Sequence, residues 1–314
     1  MSTSSIPVII NTDSGYFLNG GDVESLTNGL MGIFDSAQCE MQAIRTDAAG
    51  VEQAIRLVAE SPASVVFIMG GDGTVRSAMH LLRTTGKSLA ILPGGTMNVY
   101  AREQGISDDP LKAASQLLTG HDKAVDLADL NGIIFFGSAV FGAAPGVARV
   151  REKERGRGFF RQSYALLAAS WRALNNGPVL RLECAADGRR FHFKSKAVVI
   201  GNNEIVPEPG MPLTRAGWDS GLLFVYIFRK RSPWQLAAFG ILFVLGLWKQ
   251  AERLTQVQCR EAVFYPRRNK SPKKVDVMLD GEPIKFSFPL RFTIHPADIK
   301  IRVPQNSGTL TRSI

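Results

Sequence analysis

Apolar runs and helical periods alternate through the first half of the chain, and that alternation admits few folds. Residues 7–10 are apolar and lead into a glycine-containing turn, 23–34 carry a helical period, and 39–44 read as the next strand. Helical 51–59, apolar 65–69, helical 75–82, apolar 89–92 and a helix from about Val99 continue the pattern. Strands separated by helices of this length pair in parallel, because each crossover returns the chain to the same end of the sheet. Helices then cover both sheet faces. The first half is expected to be an α/β domain on a parallel sheet.

After a helix expected at 111–118 the texture changes. Residues 125–130 and 133–140 read as strands around an Asn131-Gly132 turn, 180–184 and 191–200 flank Asp187-Gly188, and 275–279 and 285–288 flank Asp280-Gly281. Asn-Gly and Asp-Gly supply the positive φ angles of a two-residue hairpin, so antiparallel β-structure is expected here. Helical interruptions are expected near 160–174 and 234–248, and final strands at 290–294 and 299–303, before a polar tail. The second domain is thus β-rich, antiparallel and sandwich-like.

With 314 residues, 45% of them hydrophobic, the chain can fill two cores. Its formal charge of +9 favours encounter with phosphates, nucleic acid or an anionic bilayer. The basic stretches lack the interleaved aromatics of a nucleic-acid platform, so a nucleic-acid partner is not expected. Phe159 and Phe160 beside Arg157 and Arg161 suit a bilayer interface better. The uncharged stretch 233–248 would reach roughly 24 Å as a helix, short of a hydrocarbon core of about 30 Å. Core packing is the expectation for it. Cys39, Cys184 and Cys259 form no Cys-x-x-Cys pair, and the start of the chain has no basic leader. A cytoplasmic protein, peripherally associated with membrane, is expected.

Two loops carry the chemistry. Gly70-Gly71-Asp72-Gly73-Thr74 follows a strand and opens a helix, a position where backbone N–H groups can approach phosphate oxygens without an intervening Cβ. No lysine follows, so this is not a Gly-Lys-Ser/Thr phosphate loop. Asp72 beside a polyphosphate would be repelled unless a cation lay between, which points to magnesium. Its alternative role is to cap the following helix. Pro93-Gly94-Gly95-Thr96-Met97-Asn98 repeats the arrangement one unit later, with Thr96 and Asn98 offering neutral hydrogen bonds to phosphate or ribose. Both loops fall at the strand ends where open α/β sheets bind ligands.

These segments, with Val125-Asp126-Leu127 and Asp280-Gly281-Glu282 in this order and spacing, resemble the diacylglycerol kinase catalytic family, which includes sphingosine kinases and bacterial lipid kinases. Gly201-Asn202-Asn203 and Asp219-Ser220-Gly221-Leu222 are weaker matches. The resemblance implies an α/β nucleotide-binding domain, 1–127 plus 290–314, and a β-rich lipid-binding domain, 128–289. It implies ATP and magnesium as cofactors and a lipid substrate at the membrane surface, and it allows a homodimer. Carried over by position, Asn11, Gly70, Gly71, Asp72, Gly73, Thr74, Gly94, Gly95, Thr96, Asn98 and Asp126 serve nucleotide binding. Asp72, Asp126 and Asp219 serve metal, Asp219 reading equally well as a turn residue, and Asp280 is the general base in the interdomain cleft, with Glu282 orienting it or the magnesium and Asp72 assisting the transfer.

The departures are specific. The first loop, Asn11-Thr12-Asp13-Ser14-Gly15, lacks the family's proline, Arg76 and Ser77 replace an Asn-Glu pair, and Val99 stands where an aspartate commonly follows Asn98. The departures leave a non-catalytic lipid-binding regulator open beside a lipid kinase, and the Gly-Gly-Asp-Gly loop on a two-domain scaffold leaves open an NAD kinase-like enzyme with a soluble substrate. Without the resemblance, Asp280-Gly281 reads as an ordinary hairpin turn. His80, His121, His192 and His295 are isolated and show no metal-ligand spacing.

Overall fold

The computed structural model describes residues 5–96, 98–142, 179–208, 211–229, 254–267 and 273–305. The helices expected near 160–174 and 234–248 lie outside the described residues. The chain forms two compact units, Met1–Val125 with Ala297–Ile314 and Asp126–Pro296.

The first unit runs β1 (Ile6–Asn11), α1 (Gly15–Leu18), α2 (Val23–Ser36), β2 (Met41–Thr46), α3 (Val51–Ala59), β3 (Val65–Gly70), α4 (Asp72–Leu82), β4 (Ser88–Pro93), α5 (Val99–Glu103) and α6 (Pro110–Leu118). Its parallel strands stand in the order β4-β3-β1-β2. Val8 lies between Ala43 of β2 and Phe67 of β3, and Phe67 pairs in turn with Ala90 of β4. β1, β3 and β4 are buried almost without interruption, the consequence of helices on both faces. β2, at the edge, alternates.

The helices bury one stripe each. Val51, Ala54, Ile55 and Val58 of α3 recur at helical spacing, as do Leu26, Leu30 and Phe34 of α2. Phe34 meets Phe67 edge to face, ring centroids 5.1 Å apart. α3 packs with α4, and α2 with α6. Asp22 and Asp109 cap α2 and α6 through their carboxylates, and Pro110 occupies the first turn of α6, where its missing N–H costs no helix bond.

The second unit is antiparallel. It contains β6 (Ile133–Phe135), β7 (Ser138–Gly142), β8 (Leu180–Ala186), β9 (Arg189–Asn202), β10 (Ile205–Glu208), β11 (Met211–Arg215), β12 (Leu223–Arg229), β13 (Leu254–Cys259), β14 (Glu261–Pro266), β15 (Lys274–Leu279) and β16 (Glu282–Ser287). The second half of β5 (His121–Leu130) and the first half of β17 (Leu290–Val303) also belong to it. β9 is long enough to serve two neighbourhoods: its start pairs with β8, its end with β7 and β12. The core is phenylalanine-rich, with Phe141 and Phe264 5.3 Å apart and Phe264 and Phe292 5.7 Å apart, both edge to face.

The three expected hairpin turns form. Residues Asn131-Gly132, Asp187-Gly188 and Asp280-Gly281 all take positive φ between strands paired immediately on either side. The expected strand over 133–140 divides instead into β6 and β7, because the 136–137 backbone turns its hydrogen bonds toward Asn202 and Asp280. The two expected terminal strands are one, β17. Its first residues pair antiparallel with β14 and its last pair parallel with β4, and the polar 295–298 stretch, where Ala297 has φ +50, is where the strand changes partners.

Candidate functional site

The strand order places a topological switch point between β1 and β3, since the chain moves outward to β2 from one and to β4 from the other. The loops at the C-terminal ends of β1, β3 and β4 gather there. Asn11 Nδ2 donates to Thr74 Oγ1 at 3.0 Å, across the switch point, and Asn11 Oδ1 accepts from Asp13 N at 3.0 Å. Gly94 N donates to Gly70 O at 3.0 Å, and Tyr16 N to Gly94 O at 2.8 Å. Asn98, left-handed at φ +48, accepts from Gly95 N at 2.7 Å and closes the second glycine loop on itself.

Glycine is required where these backbones stack. A Cβ on Gly95 would lie 2.7 Å from Gly71 Cα, and one on Gly94 would lie 3.0 Å from Gly70 Cα and 3.1 Å from Ser14 Oγ. A Cβ on Gly15 would stand 3.3 Å from Thr96 Oγ1. The sequence-derived residues Asn11, Gly70, Gly71, Thr74, Gly94, Gly95, Thr96 and Asn98 therefore come together, and Gly73 lies in the first turn of α4 beside Thr74. Ser14 joins them: it is 4% exposed and its Oγ has no hydrogen-bond partner among the described residues. A hydroxyl buried without a partner is costly, and a ligand oxygen would satisfy it. The Asn-x-x-Ser-Gly spacing of the first loop was the available signal for Ser14.

Asp72 is the first residue of α4, one position past the N-cap Gly71, so it does not perform the capping role. Its charge sits at the positive end of that helix. Arg102 is also in this unit. Its pKa is raised, chiefly by the hydrogen bond from Nε to Asp108 Oδ1 at 2.9 Å, with Asp108's charge and then Asp72's adding to it and burial opposing. Val99, in the position without its aspartate, is 39% exposed.

In the second unit Asp280 occupies the hairpin between β15 and β16 with φ +48, so the turn reading of Asp280-Gly281 is geometrically met. Its side chain does more. Phe136 N donates to Asp280 Oδ2 at 2.9 Å, and Gly137 N and Ser138 N donate to Oδ1 at 2.8 and 3.0 Å. Asp280 N donates to Ser138 O at 2.9 Å. The carboxylate is thus held in one orientation by backbone groups. Glu282, which opens β16, is exposed.

Asp126 is 1% exposed, and its Oδ2 accepts from Gly221 N at 2.7 Å while its own N–H donates to Trp218 O at 2.6 Å. Asn203 Oδ1 accepts from Ser220 N at 2.7 Å. Together they pin the loop that carries Asp219. Among the described residues no three His, Cys, Asp or Glu side chains gather as a metal-ligating group.

Comparison with known proteins agrees with this geometry. Residues 5–130 match the diacylglycerol kinase catalytic domain. A Pseudomonas aeruginosa protein named "Probable lipid kinase YegS-like" is 30% identical over 243 residues, 77% of this chain and 77% of that one. Its Pseudomonas putida namesake is 29% identical over 263 residues, 82% and 83% of the two chains. A crystal structure of a diacylglycerol kinase from Bacillus anthracis str. Sterne superposes with a TM-score of 0.70 at 17% identity, covering 98% of this chain and 99% of that one, a likeness of fold. The expected α/β unit with a parallel sheet and separate antiparallel β-rich unit are both present, and the chain belongs to the diacylglycerol kinase catalytic family of lipid kinases.

Proposed function

We propose that the protein transfers the terminal phosphate of ATP, with magnesium, to a hydroxyl of diacylglycerol or a related membrane lipid. The observation that carries the nucleotide half is the cluster of loops after β1, β3 and β4. Gly95 stacks on Gly71 there without room for a Cβ, the N-terminus of α4 carries a partial positive charge, and the Ser14 hydroxyl is buried without a partner among the described residues. A polyphosphate supplies the acceptors such a cradle lacks.

In this reading the backbone N–H groups of the two glycine loops, with Ser14, Thr96 and Asn98, hold the phosphates. Asp72 would hold magnesium, which commonly takes one or two carboxylates and fills its other positions with phosphate oxygens and water. Bound there, the ion would neutralise phosphate charge as transfer proceeds. Asp126 and Asp219 are proposed for a second, structural ion, Asp219 being the loop residue and Asp126 the anchor behind it. Asp280 takes the proton of the lipid hydroxyl, a poor nucleophile until that proton has somewhere to go. Glu282 is proposed to orient the base or the magnesium. The acceptor is proposed to be met at a membrane surface, consistent with the chain's positive charge.

The test is transfer from labelled ATP to mixed vesicles of diacylglycerol, sphingosine and phosphatidylglycerol, with NAD as a soluble competitor acceptor. Labelled lipid is the expected product, and Asp280→Asn should lower its rate by about a hundredfold or more, within the range of general-base catalysis. Labelled NADP in place of labelled lipid would overturn the substrate class. ATP binding with no transfer to any acceptor would overturn the enzyme.

A further inference from the structure

The peptide joining Phe136 to Gly137 is gripped from both sides. A trans peptide points its C=O and N–H in opposite directions, so fixing one fixes the aim of the other. On the N–H side Gly137 donates to Asp280 Oδ1 at 2.8 Å. On the C=O side Phe136 O accepts from Asn202 Nδ2 at 2.8 Å and from Arg215 Nη1 at 2.5 Å. The next carbonyl, Gly137 O, accepts from Asn202 N at 3.0 Å.

We infer that Arg215, assisted by Asn202, is a positioning residue: it clamps the Phe136 carbonyl and so aims the backbone donors of 136–138 at the Asp280 carboxylate. The inference rests on Asp280 being the general base proposed above. Arg215 is 6% exposed, and its guanidinium lies 4.0 Å above the centre of the Phe136 ring. Burying a guanidinium is expensive unless its surroundings engage it, and here Phe136 receives both a hydrogen bond and a cation–π contact from it. A cation on the carbonyl side also polarises the peptide, which strengthens the N–H as a donor to the anion opposite. Asn202 carries the grip further back, since its Nδ2 also donates to Asp126 O at 2.8 Å. A side chain on Gly137 would press on the base, because a Cβ there would stand 3.0 Å from Asp280 Oδ1.

A general base acts only from the right orientation, and misplacement by about 1 Å can cost a hundredfold in rate. Loosening the clamp should therefore lower turnover and leave substrate binding alone. The experiment measures transfer to the mixed vesicles by wild type, Arg215→Met, Asp280→Asn and the double variant, with single-turnover assays at excess enzyme so that slow transfer is counted. Arg215→Met is expected to lower kcat about 10- to 100-fold, with KM for ATP and for lipid within threefold of wild type. In the Asp280→Asn background the same substitution is expected to change the rate less than twofold, since its effect passes through the carboxylate already removed. A loss of equal size in both backgrounds, or an Arg215→Met kcat within twofold of wild type, overturns the inference. Wild-type turnover by Asp280→Asn alone overturns the assignment of the base instead. If circular dichroism shows that Arg215→Met does not fold, Gly137→Ala takes its place with the same expectations, its methyl pressing directly on the held oxygen.

Discussion

Gly95→Ala is the most discriminating substitution in the proposed nucleotide cluster. Its added methyl would lie 2.7 Å from Gly71 Cα and 3.0 Å from Asn98 Oδ1, where ordinary contact begins at 3.4 Å. One backbone must therefore retreat by about 0.7 Å, and neither loop can bend a flexible side chain out of the way. Overpacking of this kind costs about 1–3 kcal/mol, and for a unit of this size each kcal/mol lowers the unfolding temperature by about 2–4 °C. The same retreat moves the phosphate donors, so kcat/KM for ATP should fall about a hundredfold. Gly71→Ala is the control: its methyl would face Gly95 Cα at 3.6 Å, an ordinary van der Waals distance. Its unfolding temperature should stay within about 2 °C of wild type, a shift below 1 kcal/mol, so that any change in ATP kinetics reports ligand approach alone. Thermal unfolding and ATP kinetics on both variants decide the matter. A Gly95→Ala protein as stable and as active as wild type would refute the stacking of the two loops.

Two other perturbations follow from single contacts. Asp109→Ala removes the acceptor for Leu111 N at 2.9 Å at the start of α6, and should cost about 1 kcal/mol in chemical denaturation without altering ATP kinetics. Cys184 and Cys259 are buried, and burial pushes both thiols up to about 12. Unfolded thiols ionise near pH 8.5, so stability is full below that pH. It should fall as pH rises from there toward 12, by up to about 1.4 kcal/mol per pH unit for each thiol. Titration with a thiol reagent at pH 8 should find Cys39, the least buried of the three, reacting first and the other two only on unfolding. Three equal fast rates would refute the burial.

Much of the first unit was legible because its signals are local. Strand, glycine loop and amphipathic helix follow one another, and the observed α3 coincides with the expected 51–59. The three hairpin turns were legible for the same reason: Asn-Gly and Asp-Gly fix their own backbone. β12, β13 and β14 went unread, since they follow no such turn signal. β17 was read as two strands because Pro296 and its polar neighbours signal a break, yet a proline is tolerated where a strand leaves one partner for another. In the site, the two glycine loops could be grouped from their places after successive strands, and Asn11 joined them through the family resemblance. The donors of 136–138 could not, because nothing in their composition says that a carboxylate more than a hundred residues later will receive them. Arg215 likewise carries no motif. Its significance appears only in the contact with Phe136.

The three turns also show why Asp280 cannot be assigned by its motif. Asp187 sits in a turn of the same kind, with φ +44, and its carboxylate accepts from Arg260 N at 3.0 Å and Glu261 N at 2.9 Å. An aspartate in this turn therefore collects backbone donors from a neighbouring strand whether or not it has chemistry to perform. What separates the two is what stands behind the donors. Arg260 is an exposed residue between β13 and β14 and Glu261 is the half-buried first residue of β14, whereas 136–138 are tied through Phe136 to a buried arginine and a buried asparagine. Burying polar groups of that kind costs stability that a turn alone does not need. Such burial keeps the orientation of the Asp280 carboxylate within narrow limits, as its proposed role as a base acting on a bound hydroxyl requires.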